Sequence, residues 1–382
     1  MKFALGIWLM AAGMGQGTGL EILAGHVDLR WTWGTTEKAW RLDAVAADGA
    51  AGIFDPEEVF LPLSDKPWNG TSASGARIIQ PNNATRNFTG VAVGQPSWFA
   101  VISLPGSGEA WPGFESLQGN TVFGGYFETD SRLPQPQNAA RPWIRVSMGE
   151  VFHDGPGQPK FSMWTGTGNA PRVWMSTSNG QGNNFFLYSG GSHTHVNWTF
   201  GAQGIYRIGL KASAFLGPGQ TNPTGESGEV TVTFAVGPVA RWQATYFNGE
   251  ELENPVVSGL AADADGDGRV NLLEYAFGLH PRNGDAVPVA AGLGMPEVFL
   301  LEEDGKLFQV LRYPRKKAGV LLDPLLYSPQ FSDTLENDDW DAGVGKIVGE
   351  LDVEWELVEA RREISAGASK GFARVKVGFE AE

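Results

Sequence analysis

Residues 263–274 read Asp-Ala-Asp-Gly-Asp-Gly-Arg-Val-Asn-Leu-Leu-Glu. With Asp263 at position 1, oxygen-bearing side chains fall at position 3 (Asp265), position 5 (Asp267), position 9 (Asn271) and position 12 (Glu274). Gly268 stands at position 6 and Arg269 at position 7. This is the spacing of an EF-hand calcium loop. Ca²⁺ takes six to eight hard oxygens, and alternate carboxylates on a curling loop converge on one point. Gly268 permits the sharp turn, Arg269 supplies its backbone carbonyl, and Glu274 supplies both carboxylate oxygens from the start of a helix over 272–277. Without a cation the four carboxylates of this loop repel one another.

A second chemistry-bearing group is made of histidines. His193 and His195 are separated by one residue, so on a strand they share a face with Asn197. Val196, Trp198 and Phe200 then face the other way, into a core. His26 and Asp28 form a similar pair on the polar face of the first strand, opposite Val27, Leu29, Trp31 and Trp33. A zinc site takes three or four N, O or S ligands. His26, His193 and His195 can supply them to zinc or another transition metal if their strands are neighbours. Otherwise they are ordinary residues of polar strand faces.

The elements that must position these groups are mostly strands. Period-two alternation and β-branched or aromatic runs occur at 27–33, 59–63, 98–104, 143–146, 160–164, 172–176, 196–200, 206–212 and 229–236. Gly-, Asn- and Ser-rich turns separate them. This is the pattern of an antiparallel β-sandwich over 20–238. The text changes at 239–283, where one or two short helices lead into the acidic loop. Strands return at 307–313, 325–328, 355–360 and 371–377, which places a second, smaller β-sandwich at 290–382.

Lys2, an apolar run over 3–14 and the small residues that follow have the order of a secretory signal peptide, so residues 1–19 are expected to be removed on export. That run is too short to span a bilayer, and no later stretch resembles a transmembrane helix. Across 382 residues, 28 Lys and Arg stand against 43 Asp and Glu, a net charge of −15 that argues against nucleic acid and anionic lipid as partners. The absence of cysteine excludes disulfides, thiolate metal sites and cysteine nucleophiles. The chain contains no P-loop, no Gly-x-Ser-x-Gly and no His-Glu-x-x-His.

Two resemblances follow from these motifs. The Asp-x-Asp-x-Asp-Gly core within 241–281 is similar to dockerin and thrombospondin type 3 calcium repeats. It resembles a joint that precedes the C-terminal β-domain of many exported bacterial proteins. The Gly-His-Val-Asp-Leu piece at 25–29 and the His-Thr-His-Val-Asn-Trp piece at 193–198 resemble the bacterial surface-anchored protein family of the choice-of-anchor M type, over roughly 22–237. That resemblance implies an exported β-domain without catalytic activity. Some of its relatives accompany metal-uptake transporters, which implies a metal role for His26, His193 and His195.

The sequence therefore leads to an exported, non-enzymatic surface or envelope protein. It has a structural calcium site and a His-bound transition metal in its first domain, with an envelope component or glycan as partner. Two other readings stand beside it. A carbohydrate-binding protein would use Trp111, Trp164 or Trp174 against sugar rings, and a metal-dependent hydrolase would need an open metal position and a base.

Overall fold

The structure is a computed structural model. It describes residues 19–47, 51–68, 75–81, 84–103, 108–124, 141–167, 170–178, 184–217, 222–317, 325–336, 339–364 and 371–379. Apart from residue 19, the expected signal peptide lies outside these residues. The protein is mainly β with three helices.

Three sheets build the N-terminal part. The largest runs in the order Glu21–Ile22, Val59–Leu63, Val230–Val236, Gly204–Leu216, Trp143–His153 and Phe185–Ser189. A second orders Ala170–Ser176, Phe161–Thr167, Asn197–Phe200, Pro96–Ala100 and Arg77–Ile79. The third orders His193–His195, Ala110–Glu115, Gly25–Gly34, Ala39–Ala46 and Gly52–Phe54. Most ladders are antiparallel, and among the named strands of the described residues three pairings are parallel: Glu21–Ile22 with Val59–Leu63, Val59–Leu63 with Val230–Val236, and Gly25–Gly34 with Ala110–Glu115. Parallel neighbours need long connections, and each of these pairs is separated by a long excursion of the chain. The strand expected at 98–104 is shifted to Pro96–Ala100.

The alternating faces fall as the sequence requires. Val27, Leu29, Trp31 and Trp33 are buried, as are Val196, Trp198 and Phe200. All seven belong to one core cluster that also takes in Phe114, Phe161, Phe186, Tyr206 and Phe234. Offset and tilted ring pairs such as Phe114 with Trp198 and Phe200 with Phe234 fill it.

The helices lie between this core and the C-terminal sheets. Helix α1 (Pro238–Tyr246) starts with proline at its first turn, where a missing N–H costs nothing. Helix α2 (Gly249–Leu252) is held by a capping box between Asn248 and Glu251. Helix α3 (Asn271–Phe277) ends at Gly278, whose φ of 66° closes it in the left-handed region. Phe277 of α3 enters a core with Leu311, Tyr313, Phe331 and Val358. That core belongs to a four-stranded sheet (Glu297–Glu303, Lys306–Lys316, Trp355–Glu363, Gly345–Glu350) and a three-stranded one (Asp341–Ala342, Leu325–Ser332, Phe372–Phe379). Tyr275 of α3 meets Trp242 of α1 with ring centroids 5.7 Å apart, so the joint packs on both sides.

Candidate metal centre

The strands Gly25–Gly34 and His193–His195 are not direct neighbours. Ala110–Glu115 lies between them, parallel to the first and antiparallel to the second. Its register sets Gly113 opposite both Asp28 and His195, with Trp111 opposite His26 and Glu115 opposite both Arg30 and His193. Gly113 is the reason the outer side chains can meet across a middle strand. A Cβ at that position would lie 2.9 Å from Asp28 Oδ1 and 2.9 Å from His195 Cε1, closer than real Cβ atoms come.

Over that gap three imidazoles and one carboxylate converge. His26 Nε2 lies 3.0 Å from His193 Nε2 and 3.2 Å from His195 Nε2. Asp28 completes the group, with Oδ1 3.0 Å from His193 Nε2 and Oδ2 3.4 Å from His26 Nε2. One donor atom from each of the four residues lies within 4.8 Å of every other. A neutral imidazole has a single N–H, so His26 Nε2 can hydrogen-bond at most one of its three close neighbours. The lone pairs left over face one another. Donors held about 2.0–2.1 Å from a tetrahedral ion stand about 3.3 Å from each other, and the four contacts above, at 3.0 to 3.4 Å, are close to that spacing. His26, Asp28, His193 and His195 could hold a metal ion.

The surroundings favour a neutral His195. Burial holds the His195 pKa down to about 4, and the nearby His193 and His26 push it the same way. Trp111 stacks on the His195 ring, with centroids 3.9 Å apart and planes 10° from parallel. Burial also raises the Asp28 carboxyl, while His193 and His26 pull it back down. Asp28 and His195 are buried and His193 is exposed, so one side of the group opens to solvent. Beside it, Arg30 Nε pairs with Glu115 Oε2 at 2.6 Å. Asn197 does not join: the ladder is interrupted at Val196, and Asn197 Oδ1 accepts the Ile102 N–H at 2.8 Å.

The sequence reading paired His26 with the His-x-His strand and noted Asp28. It missed Gly113 and Trp111, the latter having been read as a sugar-stacking residue. Trp164 and Trp174 are core residues, with indole N–H groups on Thr199 Oγ1 and Thr165 Oγ1.

The acidic loop is built differently. Asp263 Oδ1 accepts the N–H groups of Gly266 and Asp267, and Oδ2 accepts that of Gly268. Gly266 and Gly268 have φ of 77° and 88°, which turns the chain tightly around Asp263. Asp263, Asp265 and Asp267 bring their carboxylates within 4.8 Å of one another. Both oxygens of Glu274, the second oxygen of Asp265 and Oδ1 of Asn271 are buried without a hydrogen-bond partner. Burial, then Asp265 and Asp267, push the Glu274 pKa up to about 8. Arg269 departs from the expectation that it offers only its carbonyl. Its guanidinium folds onto Asp267 and donates to the Gly284 carbonyl at 3.0 Å. That places a positive charge against the acid cluster.

No family model matches the chain, and no curated protein matches it. Among solved structures the chain is similar to the secreted serine protease VesC from Vibrio cholerae, with 8% identity and a TM-score of 0.13. The likeness covers 62% of this chain and 44% of that one, so the chain spans less than half the length of that protein. A likeness of this size carries no argument about fold or activity. Among the described residues no helix is long and apolar enough to cross a membrane.

Proposed function

We propose that this chain is an exported envelope or surface protein that binds one transition metal ion, zinc first among them, through His26, Asp28, His193 and His195. The observation that carries the reading is the convergence of three Nε2 atoms and one carboxylate on a single point. Four protein donors complete a tetrahedral shell, whereas catalytic zinc sites keep three and leave a position for water. That favours holding or passing on a metal over hydrolysis. The exposed edge of His193 gives the ion a way in and out. The resemblance to surface-anchored proteins points the same way. The loop 263–274 takes Ca²⁺ as a structural ion, with Asp263, Asp265, Asp267, Asn271, Glu274 and the Arg269 carbonyl as its ligands. Its buried and unpartnered Glu274 oxygens support that role.

Elemental analysis tests both parts. The protein is purified without added metal and dialysed against buffer containing Ca²⁺. The expected result is about one calcium and one Zn, Mn or Cu per chain, with the second lost in His193→Ala. Calcium alone would overturn the transition-metal reading. Turnover of ester or phosphate substrates by the metal-loaded protein, abolished by the same substitution, would make it a hydrolase instead.

A further inference from the structure

A cleft of about 310 Å³ opens where α1, α3 and the C-terminal sheet meet; no residue of the histidine cluster lines it, and Tyr275 in its wall follows Glu274 of the acidic loop. Its walls are unusually aromatic and its free charges are positive. The Lys316 ammonium lies 4.2 Å from the Trp355 ring centroid and 4.6 Å from that of Tyr275. Two ring faces hold it in place, but they accept none of its three N–H groups. Lys66 and Arg241 line the same cleft, both exposed. No ion pair of Lys66, Arg241 or Lys316 is found among the described residues. Of the two acids in the lining, Asp65 is committed to Arg77 and to the Trp98 indole N–H, which leaves Glu354. Three cations in the lining therefore face Glu354, with Asp352 near Lys316 and the buried Glu109, which accepts from Ser64, near Lys66 and Arg241, in a chain whose net charge is −15. Tyr275 adds a buried hydroxyl without a partner. Trp242 and Tyr246 add further ring surface.

The volume is at the low end for ligand sites, enough for a single sugar ring. Ring faces suit a pyranose, the Lys316 ammonium suits an anionic acceptor, and the Tyr275 hydroxyl can donate to any acceptor oxygen. We propose that this cleft binds an acidic sugar of the uronate class, with its carboxylate on Lys316 and its ring against the aromatic wall. Arg241 and Lys66 draw the anion in, and Glu354 accepts from ring hydroxyls. The site is independent of the metal centre.

The test is binding of galacturonate and glucuronate to the full chain in Ca²⁺-containing buffer, read by saturation-transfer NMR and calorimetry. Galactose, glucose and benzoate serve as the comparison ligands. The uronates are expected to bind, the neutral sugars and benzoate to bind at least tenfold more weakly, and Lys316→Met to weaken uronate binding at least tenfold. Arg241→Gln changes an exposed side chain and is expected to weaken it a few-fold without disturbing the fold. The proposal is overturned if neither uronate binds, if the neutral sugars or benzoate bind as well, or if both variants bind like the parent chain.

Discussion

The histidine cluster and the acidic loop are both sets of converging side chains that could hold a metal ion, yet they are assembled in opposite ways. The loop draws its donors from twelve consecutive residues, and its own backbone N–H groups fold them inward onto Asp263. The cluster draws its donors from two strands held on either side of a third, with His26 and His193 separated by 167 positions. Nothing local brings its members together, and it depends on the register of Ala110–Glu115 and on the missing side chain of Gly113. The loop concentrates negative charge that burial and mutual repulsion make costly, so a hard dication relieves it. In the cluster, burial holds His195 unprotonated, and a set of imidazoles with one carboxylate suits a borderline ion.

The largest expected effect is separation of the two sites by substitution. His193→Ala should weaken transition-metal binding about 100-fold or more, beyond the roughly 10–100-fold typical of outer-shell changes. It should leave calcium stoichiometry unchanged. Glu274→Gln should do the reverse. Metal titrations of both variants check this, and loss of both ions in either variant would show the sites to be coupled.

Gly113→Val comes next. Its side chain would displace Asp28 and His195 and weaken the transition metal by about 10–100-fold, on the scale of changes that misplace ligands. The calcium loop should be unaffected, and an unaltered metal affinity would show that the donors do not need this gap.

Calcium removal should be felt as stability. At millimolar Ca²⁺ and a Kd near ~10⁻⁴ M, the bound ion contributes about 1–2 kcal/mol. Chelation should therefore lower the melting temperature by about 3–6 °C. Glu274→Gln should melt at the same temperature with and without chelator. An unchanged melt of the parent chain would remove the structural role.

The smallest effect concerns Lys316. Burial lowers its pKa to about 8, although Glu354 and Asp352 pull it upward. In the unfolded chain it titrates near 10.5. Below about pH 8 the folded protein carries the full cost of the buried charge. Between about 8 and 10.5 the unfolded chain binds a proton that the folded chain lacks, so this cost is relieved as pH rises. The stability of Lys316→Met relative to the parent should therefore be highest near neutral pH and should fall toward pH 10. Cation–π contacts offset part of the burial cost and keep the change modest. A difference flat with pH would contradict this.

How much of this was legible beforehand varied with range. The run Val27, Leu29, Trp31 and Trp33 showed which face is buried, because strand side chains alternate whatever the partner strand. The convergence of Asp263, Asp265 and Asp267 in the acidic loop was readable, since it follows from their spacing along a tightly turning chain. The parallel pairing of Gly25–Gly34 with Ala110–Glu115 was not readable, because its partners share no local pattern.

The amino-acid sequence by itself determined the mainly β architecture, the inward faces of its strands, the short helices and the order of oxygens in the acidic loop. These depend on interactions between residues a few positions apart. Only the tertiary structure decided that His26, Asp28, His193 and His195 share one point, that Gly113 clears the space between them, and that Lys316 lies among aromatic rings at the joint. Those juxtapositions come from strand register and core packing, which join residues that no short-range periodicity connects.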